Sequence, residues 1–276
     1  MYDAAIIFLG LVGAAMGSFV GAMAWRMRHE MDFVRGRSEC EHCHHVLSAF
    51  DLIPIFSWLL LRGRCRYCHK KIGTLTLWLE LAMAAVFIIS FIYWPLGQVY
   101  VEQGMVDGWQ VALFIVWLVM AVMMMALLIY DYRWRTLPNR IMFLLMAVTA
   151  VFSILNNIFI QDISLLNYIL TTALGMLPVA GVYGLIYVCS GGRLIGFGDV
   201  KFGVVVGLLF GWQGALLVLV IANVLGSLVS LPMLVSGKMK MNSQMAFGPF
   251  LIVATYIVFL FQQNIITFLT ENLLLL

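Results

Sequence analysis

Apolar runs long enough to cross a bilayer recur along the chain, at about 4–25, 74–94, 111–130, 141–160, 167–189 and 247–270. One helical span takes roughly 20 apolar residues, so these runs leave little room for any other architecture. The stretch 200–235 is longer than one span and shorter than two comfortable ones. Its strongly polar residues are Lys201, Gln213 and Asn223, and Gly211-Trp212-Gln213-Gly214 is a turn signal near its middle. It reads as a hairpin of helices 199–212 and 214–234, which makes eight spans. Composition agrees: 63% of the 276 residues are hydrophobic and 11% charged, against about a quarter charged in soluble domains. A water-soluble globule is excluded. So is a disordered chain, since 19 Phe, 10 Tyr and 8 Trp cannot stay solvated. The net charge of +3 gives no footing for nucleic acid. The expectation is an all-α polytopic membrane protein whose main surroundings are the lipid bilayer.

Basic residues set the sidedness. With eight spans and the N-terminus outside, all 16 Lys and Arg fall on the cytoplasmic side or within a turn of it. The outer side then holds Asp3, Glu102, Asp107, Asp162 and Glu271. Were 200–235 a single span, Lys238 and Lys240 would move outside. The first run is read as a retained span, because Met1-Tyr2-Asp3 carries no positive charge and Arg26 and Arg28 follow the apolar stretch. The organisation is then a first transmembrane helix (1–25), a cytoplasmic loop (26–73) and a membrane domain (74–276). The loop between helices 1 and 2 holds nine of the basic residues, all five His and four of the five Cys.

Cys40-Glu-His-Cys43 and Cys65-Arg-Tyr-Cys68 are two C-x-x-C pairs with 21 residues between them. Four thiolates from two such knuckles suit one tetrahedral zinc with no open coordination position, a metal that folds the loop rather than catalyses. Disulfides are disfavoured in a cytoplasmic loop, and a dithiol redox centre does not need two copies. His42, His44, His45 and His69 read as solvated neighbours, and Cys189 as a small core residue.

Asp131 follows the run 111–130, and Asp199 ends Gly191-Gly192-Arg-Leu-Ile-Gly196-Phe-Gly198-Asp199 and opens the next helix. By the sidedness above they sit at matching depth, at the cytoplasmic ends of two apolar helices. Carboxylates at a membrane boundary are costly and mark functional sites. Two brought close cannot both ionise, so they share a proton as an acid and a base. The pair could then activate water against a carbonyl. Each also has a plainer reading: Asp131 balancing Arg133, Arg135 and Arg140, and Asp199 capping a helix. Gly196 and Gly198 allow a sharp turn and a close backbone approach. Helix 199–212 would be only about 20 Å long, which places Asp199 slightly below the surface.

Asp131-x5-Leu137-Pro138-Asn139, Gly196-Phe-Gly198-Asp199-Val-Lys201 and Phe247-Gly248-Pro249-Phe250 resemble, in order, three signatures of the type IV prepilin peptidases. Gly17-Ser18-Phe19, the two C-x-x-C pairs and Asp51-Leu-Ile-Pro54-x3-Trp58-x4-Gly63 resemble that family's N-terminal region. The resemblance implies a membrane aspartyl protease of the bacterial inner membrane, with Asp131 and Asp199 as the catalytic pair. Gly196, Gly198, Lys201, Pro138, Gly248, Pro249 and Glu80 would support the site, which would face the cytoplasm. It implies prepilin or pseudopilin substrates, cut at the leader, and in many members N-methylation of the new terminus with S-adenosylmethionine. The departures, Gly21 where the family has Asn and Ala82-Met-Ala-Ala85 without the expected Gly, fall in the half linked to methylation and leave the dyad untouched.

Glu80 lies about 9 Å into its helix, either as a buried acid stabilising the bundle or as a contact to the substrate amine or methyl donor. Because the 26–73 loop is itself net positive, contact with a basic leader would fall to local acids such as Glu39, Glu41 or Asp51. Two other classes compete: a proton-coupled transporter relaying through the aspartates, and an inactive membrane scaffold carrying a zinc module. The oligomeric state is not legible in the sequence.

Overall fold

The structure is a computed structural model that describes residues 2–29, 31, 38–94, 108–237 and 246–273. In chain order the helices are α1 (Tyr2–Arg28), α2 (Phe56–Leu60), α3 (Thr74–Ile92), α4 (Gly108–Trp134), α5 (Asn139–Ile154), α6 (Leu165–Met176), α7 (Val182–Ser190), α8 (Phe197–Val235) and α9 (Gly248–Leu273). There is no strand among the described residues, only two isolated bridges, Glu39 with Val46 and Arg64 with Lys71. The expected all-α membrane architecture is therefore present. Helices α6 and α7 form one span, Leu165–Ser190, joined by a π-helical turn, Leu177–Gly181. Pro178 lies in that turn, where its missing N–H interrupts regular helical bonding.

The long α8 is two helices. Gly211, at φ 62° and ψ −163°, breaks it into arms of residues 197–210 and 212–235. The second arm folds back along the first. Gly184 faces Val200 and Gly203 lies against Ala180, while the Tyr183 hydroxyl takes a 3.1 Å hydrogen bond from Asn223 Nδ2. Residue 223 has thus returned to the level of 200–203; in a straight helix it would lie about 30 Å from Gly203. The described residues hold seven helices long and apolar enough to cross a membrane, and counting the two arms of α8 separately makes eight, the number the sequence implies. Its first arm starts two residues earlier than expected and breaks at Gly211, because only glycine adopts that positive-φ conformation without strain. Lys238 and Lys240, which entered the sidedness argument, lie outside the described residues, as do Glu102 and Asp107.

The chain divides into two compact units, one reaching Trp94 and the other running from Gly108. Helix α3 goes with α1 and the cysteine loop. In this first unit α1 and α3 run antiparallel at close range: a Cβ on Gly17 would stand 2.6 Å from Glu80 Cα, and one on Gly13 2.7 Å from the Met83 carbonyl. Small residues at such crossings let backbones approach without lipid between them.

In the second unit α4 is central, burying among others Trp117, Met120, Ala121, Met124 and Leu127. Trp117 stacks on Phe259 at 3.5 Å between ring centroids, and Tyr256 Oη donates to the Ala121 carbonyl at 2.6 Å. A glycine seam joins the first arm of α8 to α6 and its π turn. A Cβ on Gly203 would stand 2.6 Å from Ala180 N, and one on Gly207 2.7 Å from Met176 N.

Candidate active site

Asp131 and Asp199 are both buried, 6% and 7% exposed, and near enough for their charges to interact. Asp131 sits one turn before the end of α4, since the helix runs on to Trp134. Asp199 is the third residue of α8, after Gly196 in the capping position. Its carboxyl turns back toward the Gly196 backbone amide, the reach that an acidic third residue makes toward a cap. The Asp131 carboxyl faces the Gly248 amide, at the start of α9. Each carboxylate is therefore set against the amide end of a helix, where the partial positive charge favours an anion. Among the described residues neither has a side-chain hydrogen-bond partner.

The glycines and the proline of the motifs have separate geometric reasons. A Cβ on Gly248 would stand 2.6 Å from Asp131 Oδ2, and one on Gly198 2.8 Å from Leu137 Cδ1. Pro249 occupies the second position of α9, where a missing N–H leaves no helical bond unmade. Pro138 caps α5 in an extended conformation, and starts that helix at Asn139. Lys201 Nζ donates to Asn139 Oδ1 at 2.7 Å and lies over the rings of Phe143 and Phe197 at 5.2 and 4.9 Å. Lys201 is therefore a brace between the two motifs. Leu137 and Asn139, unassigned from sequence, are the residues that join them; their place between Asp131 and a helix start was the available signal.

The first unit holds the four cysteines together. Their Sγ atoms lie within 4.8 Å of one another, and those of Cys40 and Cys68 are 3.8 Å apart. A disulfide would need about 2.05 Å, whereas thiolates about 2.3 Å from a tetrahedral zinc stand about 3.8 Å apart. The donor set fits a metal ion such as zinc.

The two knuckles are built alike. Cys40 N donates to His45 O and His44 N to Cys40 O; Cys65 N donates to Lys70 O and His69 N to Cys65 O. His44 and His69 hold the positive-φ positions that close each turn, at 54° and 56°. That duty was missed from sequence, although the repeated Cys-x-x-Cys-His carries it. Burial raises the Cys40 thiol, but the amides of His42 and Cys43 and the neighbouring thiols bring it down to about 7. At Cys43 the His45 amide lowers it, while burial and the other thiols push it up to about 11. Cys189 is exposed rather than in the core.

Glu80 is 5% exposed and lies in this first unit. It accepts a 2.7 Å hydrogen bond from Ile55 N, with the Ser18 hydroxyl as a second partner. Ile55 sits at φ 64° and ψ −55°, with Phe56 N donating back to Pro54 O at 2.6 Å. This is the rare positive-φ form of the γ-turn, strained in a β-branched residue. Ser18 on α1 and Ile55 in the loop thus meet at the carboxylate of Glu80 on α3.

Asp51 is engaged internally rather than free for a leader peptide. It accepts from Ser48 N and Oγ at 3.1 and 2.8 Å, from Arg66 Nε at 2.7 Å and from Tyr67 Oη at 3.1 Å. Burial pushes its carboxyl up, but these bonds outweigh that and hold it below the usual aspartate range. Glu39 lies 3.8 Å from His44, and Glu41 is exposed. Gly63, at φ 66°, makes room for Trp58, whose ring a Cβ would meet at 2.7 Å.

Comparison with known proteins matches residues 11–94 to the bacterial peptidase A24 N-terminal domain and residues 118–231 to the type IV leader peptidase family. Curated relatives are named prepilin leader peptidase/N-methyltransferase. That of Dichelobacter nodosus is 28% identical over 94% of this chain and 93% of its own length. That of Aeromonas hydrophila is 27% identical over 86% and 76%, and that of Pseudomonas putida 26% over 92% and 90%. No solved structure matches. Gly248 falls beyond the matched segments, yet its backbone reaches Asp131. The apolar helices and bacterial relatives fit a multi-pass protein of the bacterial inner membrane. Two adjoining family matches and full-length relatives make this chain a member of the type IV prepilin peptidase family, and a protease.

Proposed function

We propose that the chain removes the leader from prepilins or pseudopilins at the cytoplasmic membrane face, with Asp131 and Asp199 as the catalytic dyad. The observation that carries this reading is two buried carboxyls brought together by α4 and α8, each facing a glycine amide and neither tied to another side chain. One carboxylate takes a proton from water, and the resulting hydroxide attacks the scissile carbonyl carbon. The other, protonated, donates to the carbonyl oxygen. The proton taken from water then goes to the departing amine, and the pair titrates as a unit. Gly196 and Gly248 hold the carboxyls by their amides, while Lys201 and Pro138 fix α8 and α5 around them.

The cysteine cluster is proposed to hold a structural zinc, supported by its all-thiolate donor set and tetrahedral spacing. N-methylation with S-adenosylmethionine is the second activity suggested by the relatives' names. Glu80, a candidate contact for it, is engaged by Ile55 and Ser18, so the mechanism assigns it no step.

The test compares purified wild-type chain with Asp131→Asn and Asp199→Asn on a prepilin in detergent. Wild type should release the leader, and each substitution should slow release by about 10³-fold or more. Near-wild-type cleavage in both variants would sink the dyad. Mass spectrometry of the product reads the cleaved bond and any methyl group. Metal analysis should find about one zinc per chain, lost in Cys40→Ser/Cys65→Ser.

A further inference from the structure

We infer that the turn carrying α2, within the cysteine loop, is a membrane-embedded anchor whose apolar face lies in the acyl–headgroup boundary of the bilayer. The first observation is depth. Ile55, at the start of this turn, donates its backbone N–H to Glu80, and Glu80 is inside a helix of spanning length, Thr74–Ile92. Six residues separate Glu80 from the start of α3, about 9 Å of rise. The partner helix gives a second ruler. Gly17 lies against Glu80, and nine residues, about 13 Å, separate it from Arg26, the first charge after the apolar run of α1. The turn at Ile55 is therefore level with the interior of both helices and not above their ends. An interfacial segment lies about 5–10 Å into the boundary.

The second observation is what the turn exposes there. Phe56, Leu59 and Leu60, related as i, i+3 and i+4 and hence on one face of α2, are 59%, 55% and 82% exposed. Such a face in water would be a large apolar patch with no cover; at this depth, acyl chains cover it. Trp78, 65% exposed and two residues before Glu80, is placed as aromatic residues are at the membrane interface.

The third is charge. Immediately after α2 come Arg62, Arg64, Arg66, Lys70 and Lys71, all exposed, which complement anionic headgroups at the surface where the anchor would enter. The knuckles would then be held against the membrane from below as well as by α1 and α3. Glu80 acts in this arrangement as the positioning residue, fixing the strained Ile55 turn at its depth.

The full chain in nanodiscs of phosphatidylethanolamine and phosphatidylglycerol provides the test. Phe56, Leu59 and Leu60 are each replaced by p-benzoylphenylalanine, irradiated, and read by intact-protein mass spectrometry. Leu185 on α7 serves as the lipid-facing reference and His42 on the first knuckle as the solvated one. Lipid adducts at positions 56, 59 and 60 should come within about threefold of Leu185 and exceed His42 by about tenfold. Three separate positions keep the test standing should one variant misfold. Adduct yields as low as at His42 would overturn the inference. So would crosslinks at these positions to added prepilin, to a second copy or to another part of the chain in place of lipid.

Discussion

This chain carries two kinds of buried carboxylate, one in each of its compact units. In the first unit Glu80 is held twice: the Ile55 amide and the Ser18 hydroxyl point at it, and a neighbouring turn depends on it. In the second unit Asp131 and Asp199 face the amides of Gly248 and Gly196 and each other, with no side-chain hydrogen bond among the described residues. All three are nearly equally buried, so burial alone does not distinguish a structural acid from a working one. The difference lies in what each carboxyl faces. A carboxylate bound to a remote backbone amide and a hydroxyl holds backbone in place, whereas one that faces a like charge is left able to accept or donate a proton.

Gly248→Ala tests this contrast most sharply. The added methyl would stand 2.6 Å from Asp131 Oδ2 and must displace the carboxyl, and misplacement of a reacting group by about 1 Å costs about 10²-fold in rate. Leader cleavage by the purified variant should fall by that order while its thermal midpoint stays near wild type. Unchanged cleavage would mean that the Gly248 approach does not position Asp131.

Glu80→Ala should do the reverse. Stranding the half-buried Ile55 N–H costs up to about 1–3 kcal/mol, to be seen as faster hydrogen exchange through the 53–60 turn, with Glu80→Gln milder because it keeps an acceptor. If Glu80→Gln instead slows cleavage as much as Asp199→Asn, Glu80 is a working acid and the comparison breaks.

The smallest effect belongs to Asp51. Its folded carboxyl titrates below an unfolded aspartate, so its contribution to stability is complete above about pH 4. That contribution is lost as the pH falls through the folded value. Metal release from the knuckles, followed across acid pH, should therefore come at higher pH in Asp51→Asn than in wild type, since the variant lacks the contribution throughout. Identical curves would remove Asp51 from the fold of the loop.

Much of this was readable beforehand because it rests on local chemistry. Apolar length reveals spans, Gly211 reveals the reversal of α8, and paired Cys-x-x-Cys reveals a four-thiolate cluster. What sequence could not separate was engagement. Asp51 and Glu80 look as available as Asp131 on paper, and it is contacts from Arg66, Tyr67 and Ile55, 15 to 25 residues away along the chain, together with the local Ser48 cap, that show them occupied. His44 and His69 read as solvated neighbours of the cluster, and they are exposed, but they also hold the positive-φ positions that turn each knuckle. Lys201 reads from sequence as support for the site, but its partner, Asn139, 62 residues away, is visible only in the fold.

The spacing and continuity of apolar residues by themselves determined that this chain is built of membrane-spanning helices, with four of its cysteines gathered in the loop between the first two spans. Burial in lipid demands long apolar helices whatever their neighbours. Which acids work and which merely hold was decided by tertiary structure. That choice depends on backbone amides from remote helix starts, Gly196 and Gly248 for the dyad and Ile55 for Glu80, and a hydrogen bond between distant segments leaves no periodic trace in the chain.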